Sequence, residues 1–376
     1  MKISVIGRGN AGCFTALHFA YYTKERDDVE IELFYNPDIP TEKVGQATLL
    51  EAPNLLWYAL GSNWHNNDIE STIKSGILYE GWGKKKDKIY HPFPYNAVSI
   101  HYSPPKLQEA ILNSGWFSVK EGDIKDYSSI DSDYVFDSTG KPTLDGDKDW
   151  QNYEELKNPL NSCLLGSSNR RDKDAYWTRT VATPDGWCFV IPNTTNTTSY
   201  GYLYNDNITS EDGAIKNFKE IFDIDYTDKL SFNKYVAKEP VIDDRVILTG
   251  NKLFFIEPLE ATACQTYLEW ARYIFDCAVL KRFPFSKAVD GINKYIHQIE
   301  NFILWHYQFG SKYDTPFWDY AKTLKIEDKE FDDLIKYASE TDPKFLRDIY
   351  FQPKNDDHYG QWRPWNIRCW YDGVYG

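Results

Sequence analysis

The sequence has no Cys-x-x-Cys pair. Its six cysteines, Cys13, Cys163, Cys188, Cys264, Cys277 and Cys369, are scattered, and no group of histidines stands at ligand spacing. Both facts argue against a zinc site and against a disulfide framework, so no metal is expected and the thiols read as reduced and mostly buried. A chain of 376 residues can bury a sizeable core without such staples. No run approaches the roughly 18 consecutive apolar residues of a membrane helix. The first residues enter a β-rich run rather than a signal peptide, which gives a cytoplasmic location as the expectation. Basic charge is also short, with 42 Lys and Arg against 56 Asp and Glu and a formal net charge of −14. Neutralising phosphates needs a basic face that this balance does not provide, so neither nucleic acid nor a membrane is an expected partner. Small molecules are favoured instead. There is no internal repeat and no low-complexity linker. Aromatic side chains are plentiful at 16% of residues, including 13 Trp and 28 Tyr. Such a content suits an aromatic-lined cavity and ordinary core packing equally well.

The N-terminal run Lys2-Ile3-Ser4-Val5-Ile6 reads as a strand. It passes into Gly7-Arg8-Gly9-Asn10-Ala11-Gly12 and then into a helix through Phe14, Ala16, Leu17, Phe19 and Ala20, followed by a second strand over Val29 to Phe34. A G-x-G-x-x-G turn placed between a strand and a helix is the βαβ fingerprint of a dinucleotide site. Gly7, Gly9 and Gly12 supply the tight turn, the close backbone approach and the close helix packing, and a pyrophosphate can rest on the helix start near Ala11. The acidic residue usual for the adenosine ribose is missing at the end of the second strand, where Tyr35-Asn36 stands, and Asn36 can hydrogen-bond the ribose instead. Two later strands fit a large flavoprotein: Tyr134 to Asp137 leads into Ser138-Thr139-Gly140, and Arg245 to Thr249 leads into Gly250-Asn251.

A second informative stretch is Phe255-Ile256-Glu257-Pro258-Leu259-Glu260-Ala261-Thr262-Ala263. It precedes an apolar stripe at helical spacing through Cys264, Tyr267, Leu268, Ala271, Ile274, Phe275, Ala278 and Val279. This predicts a helix from about residue 261 to about residue 282. The first amides of such a helix, at Thr262 and Ala263, can hold a small anion, with Glu260 beside them. Beyond residue 264 the sequence reads as mainly helical.

Between these landmarks lie motifs that resemble one family. Gly186-Trp187-Cys188-Phe189-Val190-Ile191-Pro192 is similar to the G-W-x-W-x-I-P signature of the flavin-dependent tryptophan halogenases, with Phe189 at the second Trp. Val44-Gly45-Gln46-Ala47-Thr48 resembles the flavin-covering V-G-E-x-T strap, with Gln46 at the acidic position. Thr72 to Trp82 resembles the segment that bears the catalytic lysine, which falls at Lys74, and Tyr90-His91-Pro92-Phe93 resembles the stretch whose His and Phe flank the substrate indole. Phe255 to Ala263 resembles F-x-x-P-L-E-S-T-G. Leu304 to Tyr307, Asp314 to Trp318 and Trp365 to Gly376 extend the resemblance to the end of the chain. The chain is shorter than is usual for that family, so trimmed substrate-side loops and helices are expected.

The resemblance implies an α/β fold with a Rossmann-like FAD-binding domain of the flavoprotein monooxygenase type and a mainly helical substrate-binding region. The corresponding division is residues 1–265 for FAD, with inserted substrate-facing segments at about 50–115 and 145–180, and residues 266–376 for the helical region. It implies FADH2 from a separate NAD(P)H-dependent flavin reductase, and a chloride, bromide or iodide ion held at Thr262 and Ala263. Hypohalous acid made at the flavin would travel past a tunnel wall of Trp187, Phe189, Ile191 and Pro192 to Lys74, which delivers halogen to a small aromatic, indole-like substrate between His91 and Phe93. Glu260 would align the electrophile and take the ring proton. Gly7, Gly9, Ala11, Gly12, Asn36, Val44, Gly45, Ala47 and Thr48 would hold FAD, and a homodimer is compatible with the sequence. Each residue also has a plain structural reading: Lys74 as a surface lysine, Glu260 as a helix-terminal carboxylate, His91 as a satisfied histidine, and Trp187 and Phe189 as core. A flavin monooxygenase that hydroxylates an aromatic directly, and a non-catalytic flavin- or indole-binding protein, are the rival functions.

Overall fold

A strand that enters a Gly-rich turn and leaves as a helix must return to pair beside itself, and this determines the first half of the architecture. The structure, a computed structural model, describes the chain apart from residues 43, 63, 65–67, 143–149, 171, 194–196 and 353–357. Part of the 145–180 segment therefore lies outside the described residues. The chain forms two compact units, each assembled from three stretches: Met1–Ser71, Tyr102–Leu156 and Lys234–Ile296 in the first, and Thr72–His101, Lys157–Asn233 and His297–Gly376 in the second.

In the first unit, strand Lys2–Ile6 pairs in parallel with Glu30–Tyr35 on one side and with Tyr134–Asp137 on the other. Ser118–Glu121 extends the sheet beyond the former, and Val246–Leu248 with its antiparallel partner Val241–Ile242 extends it beyond the latter. The strand order reverses at Lys2–Ile6, which is where open α/β sheets bind their ligands. Helix Asn10–Tyr22 is buried along almost its whole length, and helix Thr262–Ala278 packs against it through Phe19 and Phe275, whose ring centroids are 5.6 Å apart. Trp270 Nε1 donates to the Leu248 carbonyl at 2.9 Å and ties that second helix to strand Val246–Leu248. This helix is shorter than the stripe predicts. It stops at Ala278, where the Leu280 amide bonds back to the Phe275 carbonyl and Lys281 turns left-handed at φ 53°. That is a Schellman-like stop made without glycine, and Val279 and Phe283 continue only the apolar spacing.

The second unit is built on a seven-stranded sheet in the order Tyr226–Ser231, Ser162–Ser168, Thr198–Tyr204, Gly186–Pro192, Trp177–Thr183, Gly76–Glu80 and Lys88–Pro92. Its central strand, Gly186–Pro192, is buried at every position. One side carries Cys188 and Val190 into a cluster with Leu164, Tyr202, Ala214 and Phe218. On the other side Trp187 meets Trp82, around which Tyr79, His306, Tyr307, Trp318 and Trp370 also gather. Trp82 Nε1 donates to Thr180 O at 3.0 Å, and Trp318 Nε1 donates to Thr183 O at 2.8 Å. These tryptophans thus serve as core: Trp82 and Trp318 have satisfied N–H groups, whereas the buried Nε1 of Trp370 has no hydrogen-bond partner. Helices Pro316–Ala321, Lys329–Glu340, Pro343–Asp348 and Pro364–Tyr375 belong to this unit, while Phe285–Gln308 runs through both stretches at the 296/297 boundary. Among the described residues no helix is long and apolar enough to cross a membrane. All six cysteines are free, and five of them are buried.

Candidate active site

In the first unit the Gly-rich turn has the geometry of a phosphate cradle. Gly7 sits at φ 108°, and a Cβ there would lie 2.4 Å from the Ser138 carbonyl oxygen; a Cβ on Gly12 would lie 2.0 Å from the Gly7 carbonyl oxygen. Neither position admits a side chain. Gly9 differs, because a Cβ there meets nothing within 4 Å. A glycine at Gly9 has no packing reason to be one, which fits a backbone that a ligand approaches. Gly9 also forms the N-cap of helix Asn10–Tyr22, and no side chain caps that helix start. Asp137 holds the neighbouring turn by accepting from the Thr139 amide at 3.0 Å and from Thr139 Oγ1 at 2.7 Å. Gly250, at φ 61°, is held close to Ala11: a Cβ there would be 2.6 Å from the Ala11 methyl.

The strap residues are tied to this helix start. Gln46 Oε1 accepts from Asn10 Nδ2 at 2.8 Å and from the Tyr102 hydroxyl at 3.0 Å, while Gln46 Nε2 donates to Glu42 at 2.8 Å. An amide at residue 46 can accept at one end and donate at the other, which a carboxylate cannot do. Gly45 and Thr48 are buried, and Val44 and Ala47 are half-buried. Asn36 Oδ1 accepts from the Asp38 amide at 2.9 Å and forms an Asx turn at the end of the second strand. Cys13, behind the turn, has its thiol pushed up to about 12 by burial.

The Glu260 stretch is unusual in its backbone. Glu260 has φ 68° and Ala261 has φ 55°, so two successive residues that are not glycine adopt the left-handed conformation. Glu260 is 3% exposed and Thr262 is 2% exposed. Helix Thr262–Ala278 begins immediately after, with Ala261 as N-cap and no side chain capping its first amides. Ala263 lies inside the first turn with no positive φ.

In the second unit Lys74 ends strand Thr72–Lys74, which pairs antiparallel with the strand Ser99–Tyr102 so that Thr72 faces His101 and Lys74 faces Ser99. Its side chain is fully buried, with Nζ 5.7 Å from the centroid of the Phe93 ring. His91 is 4% exposed and lies on strand Lys88–Pro92, where it faces Ile77. The structure thus brings Lys74 and Phe93 together, two residues after His91. Trp187 and Phe189 project from the same side of their strand, with ring centroids 6.3 Å apart, and Ile191 and Pro192 are buried further along it. Thr72 Oγ1 donates to the Pro192 carbonyl at 3.3 Å and thereby links the lysine strand to this wall.

The tryptophan halogenase family model matches residues 2–116 and 117–358. The chain belongs to the tryptophan halogenase family. It is 28% identical over 175 residues to the tryptophan 6-halogenase ThaL of Streptomyces albogriseolus, an alignment covering 43% of this chain and 32% of the relative. It is 26% identical over 186 residues to the tryptophan 7-halogenase RebH of Lentzea aerocolonigenes, covering 45% and 34%. These alignments span about a third of the length of the curated relatives. The crystal structure of MibH, a tryptophan 5-halogenase, superposes with a TM-score of 0.80 at 18% identity, over 99% of this chain and 85% of that one. The α/β architecture is therefore that of the flavin-dependent halogenases.

Within this tryptophan halogenase fold, three residues emerge that the sequence reading missed. His101 is 1% exposed beside Lys74, with Nδ1 3.2 Å from Thr72 Oγ1 and Nε2 3.0 Å from Thr178 Oγ1. Burial first, and then the Lys74 charge, hold it well below its ordinary value of 6.5, so it is a neutral link in the network around the lysine strand. Asn366 hydrogen-bonds His91, and Gly201 lies directly beneath the Phe189 ring. Only Gly201 left a trace in sequence, as a glycine inside an aromatic strand, which signals close approach of another group.

Proposed function

We propose that the chain is a flavin-dependent halogenase that delivers an electrophilic halogen through Lys74 to an electron-rich, indole-like aromatic, with FADH2 supplied by a separate NAD(P)H-dependent flavin reductase. The observation that carries this reading is the complete burial of the Lys74 side chain beside Phe93. Full burial is rare for a lysine, and it holds the ammonium at a fixed place beside the Phe93 ring. A monooxygenase that hydroxylates its substrate directly has no use for such an ammonium.

The residues of the Gly-rich turn fit a dinucleotide, since Gly7 and Gly12 close the turn and Gly9 leaves its outer side open. Gly7, Gly9, Ala11 and Gly12 would hold the pyrophosphate, Asn36 the ribose side, and Val44, Gly45, Ala47 and Thr48 the covering strap. Bound FAD, supplied reduced, provides with O2 the oxidation of halide to hypohalous acid. The Thr262 and Ala263 amides hold chloride, bromide or iodide at the positive end of their helix. Trp187, Phe189, Ile191 and Pro192 form a wall that keeps the aromatic substrate from the oxidant. Lys74 Nζ as an ammonium donates a hydrogen bond to the hypohalous oxygen, or as the free amine takes the halogen from hypohalous acid as the O–halogen bond breaks and water leaves, and in either form presents it to the ring. His91 and Phe93 flank that ring. A Glu260 carboxylate oxygen takes the proton that the ring loses when aromaticity returns.

The test is a reaction of the full chain with FAD, a flavin reductase, NADH, bromide or chloride, and indole or tryptophan, followed by mass spectrometry. A halide-dependent monohalogenated product is expected. Lys74→Ala should lower its formation by at least about a hundredfold while consumption of reduced flavin continues. A hydroxylated product formed without halide would convert the assignment to a monooxygenase, and absence of FAD binding together with absence of product would leave a non-catalytic binding protein.

A further inference from the structure

The C-terminal helix Pro364–Tyr375 lies against the strand that carries His91. The contact is close enough that a Cβ on Gly373 would stand 2.2 Å from Ile89 Cγ2. From the first turn of this helix Asn366, 6% exposed, reaches His91, 4% exposed. Both ends of the Asn366 amide are engaged. Its Oδ1 accepts from the Arg363 backbone amide at 2.9 Å, and its Nδ2 stands 3.0 Å from His91 Nε2.

These two bonds determine more than a contact. A backbone N–H only donates, so the end of Asn366 that faces Arg363 must be the oxygen. The other end is then the NH2 group, which also only donates. His91 Nε2 must therefore be an acceptor that carries no proton. We infer that Asn366 is a positioning residue that locks His91 as the neutral imidazole with its proton on Nδ1, and so fixes both the plane and the charge of one face of the aromatic-substrate site. This inference rests on the proposed halogenase reading for its functional half only. Halogen attack on an indole builds positive charge on the ring, and an imidazolium alongside would repel it. A neutral His91 offers the ring a flat wall without that penalty. The C-terminal helix thereby becomes part of substrate orientation although Asn366 need not touch substrate.

The test has a structural arm that does not depend on turnover. In the full chain labelled with 15N-histidine, long-range proton–nitrogen spectra distinguish the two tautomers, and His91→Gln identifies the resonance. The expected wild-type pattern is a protonated Nδ1 and a bare Nε2. Asn366→Asp keeps an oxygen for the Arg363 amide but turns a second oxygen towards His91, so a proton should appear on Nε2. A wild-type His91 protonated on Nε2, or a pattern unchanged in Asn366→Asp, overturns the proposal. The kinetic arm uses indole and bromide with Asn366→Leu. One lost orienting hydrogen bond should raise KM on the order of fivefold with a smaller change in kcat, and an unchanged KM refutes the functional half. If the wild-type chain forms no bromoindole, the halogenase reading fails on its own, while the tautomer result still decides the role of Asn366.

Discussion

Gly201 and Phe189 offer the sharpest quantitative test of the wall. They face each other across the antiparallel pair of strands Gly186–Pro192 and Thr198–Tyr204. A Cβ built on Gly201 would fall 2.1 Å from both Cε1 and Cζ of Phe189, so the ring lies flat over the glycine. Contacts that short between carbon atoms are not tolerated, and either the ring or the strand must move. Gly201 does not have a positive φ, so Gly201→Ala carries no left-handed backbone penalty and isolates the steric effect. Overpacking of this kind costs about 1–3 kcal/mol. Phe189→Ala removes the ring from a 9% exposed site and should cost about 3–5 kcal/mol. With the ring gone, the methyl that Gly201→Ala introduces enters vacated space. The double variant should therefore be no less stable than Phe189→Ala alone, giving a coupling of about 1–3 kcal/mol in a double-mutant cycle. Urea unfolding followed by fluorescence measures it, with the transition slope compared among the four proteins. Additive costs, or a Gly201→Ala protein within about 0.5 kcal/mol of wild type, would refute the packing argument. If the wall separates oxidant from substrate, Gly201→Ala should also reduce the fraction of consumed reduced flavin that ends as halogenated product.

The left-handed Ala261 gives a second expectation: Ala261→Gly removes a φ of 55° from a residue with a Cβ and should raise stability by up to about 1 kcal/mol, whereas a loss would show that the conformation is relaxed. In the same stretch, Glu260→Gln should lower turnover about a hundredfold or more, a larger effect than on folding stability, and an unchanged rate would return Glu260 to a purely structural role. His18 supplies a pH dependence. Burial, and then the Arg272 charge, lower it from an ordinary 6.5 to about 3, and its ring packs edge-on or tilted against Phe19, Tyr22 and Phe275. The unfolded chain therefore takes up a proton there first as pH falls. Its contribution is complete above about pH 6.5 and is lost progressively down to about pH 3, by up to a few kcal/mol. His18→Phe should flatten acid unfolding across that window, and an unaltered acid profile would show that His18 is not buried neutral.

The elements that the sequence made legible are those whose signal is local. The βαβ unit follows from a strand, three spaced glycines and a helix in close succession, and the structure places strands Lys2–Ile6 and Glu30–Tyr35 around helix Asn10–Tyr22. The end of helix Thr262–Ala278 was not legible, because Val279 and Phe283 sustain the apolar spacing while the stop is a backbone event at Leu280 and Lys281. His101 and Asn366 could not be read for a different reason. His91 and Asn366 lie 275 positions apart, and nothing in either neighbourhood encodes the meeting. His101 looks like one more residue of a short strand until Thr72 and Thr178 are seen on its two nitrogens. The large aromatic content, ambiguous in composition, is resolved in part by the packing around Trp82.

The stretch from Glu260 to Ala263 shows how a departure from a family pattern can be harmless at one position because the constraint sits at another. A glycine in the motif suggests a backbone that only glycine adopts, and Ala263 then looks like a damaging replacement. The conformation contradicts that inference. Ala263 is in the first helical turn without a positive φ, and the left-handed residues are Glu260 and Ala261, both of which have side chains. An alanine at 263 keeps its amide and fits a helix better than glycine does. The cost falls instead on Glu260, held at φ 68° and 3% exposed. Left-handed residues with side chains are energetically unfavourable by about 1–2 kcal/mol each, and a plain helix cap has no need of such a backbone. The strain of this stretch therefore sits at Glu260 and Ala261, the two left-handed residues before the helix, and not at Ala263.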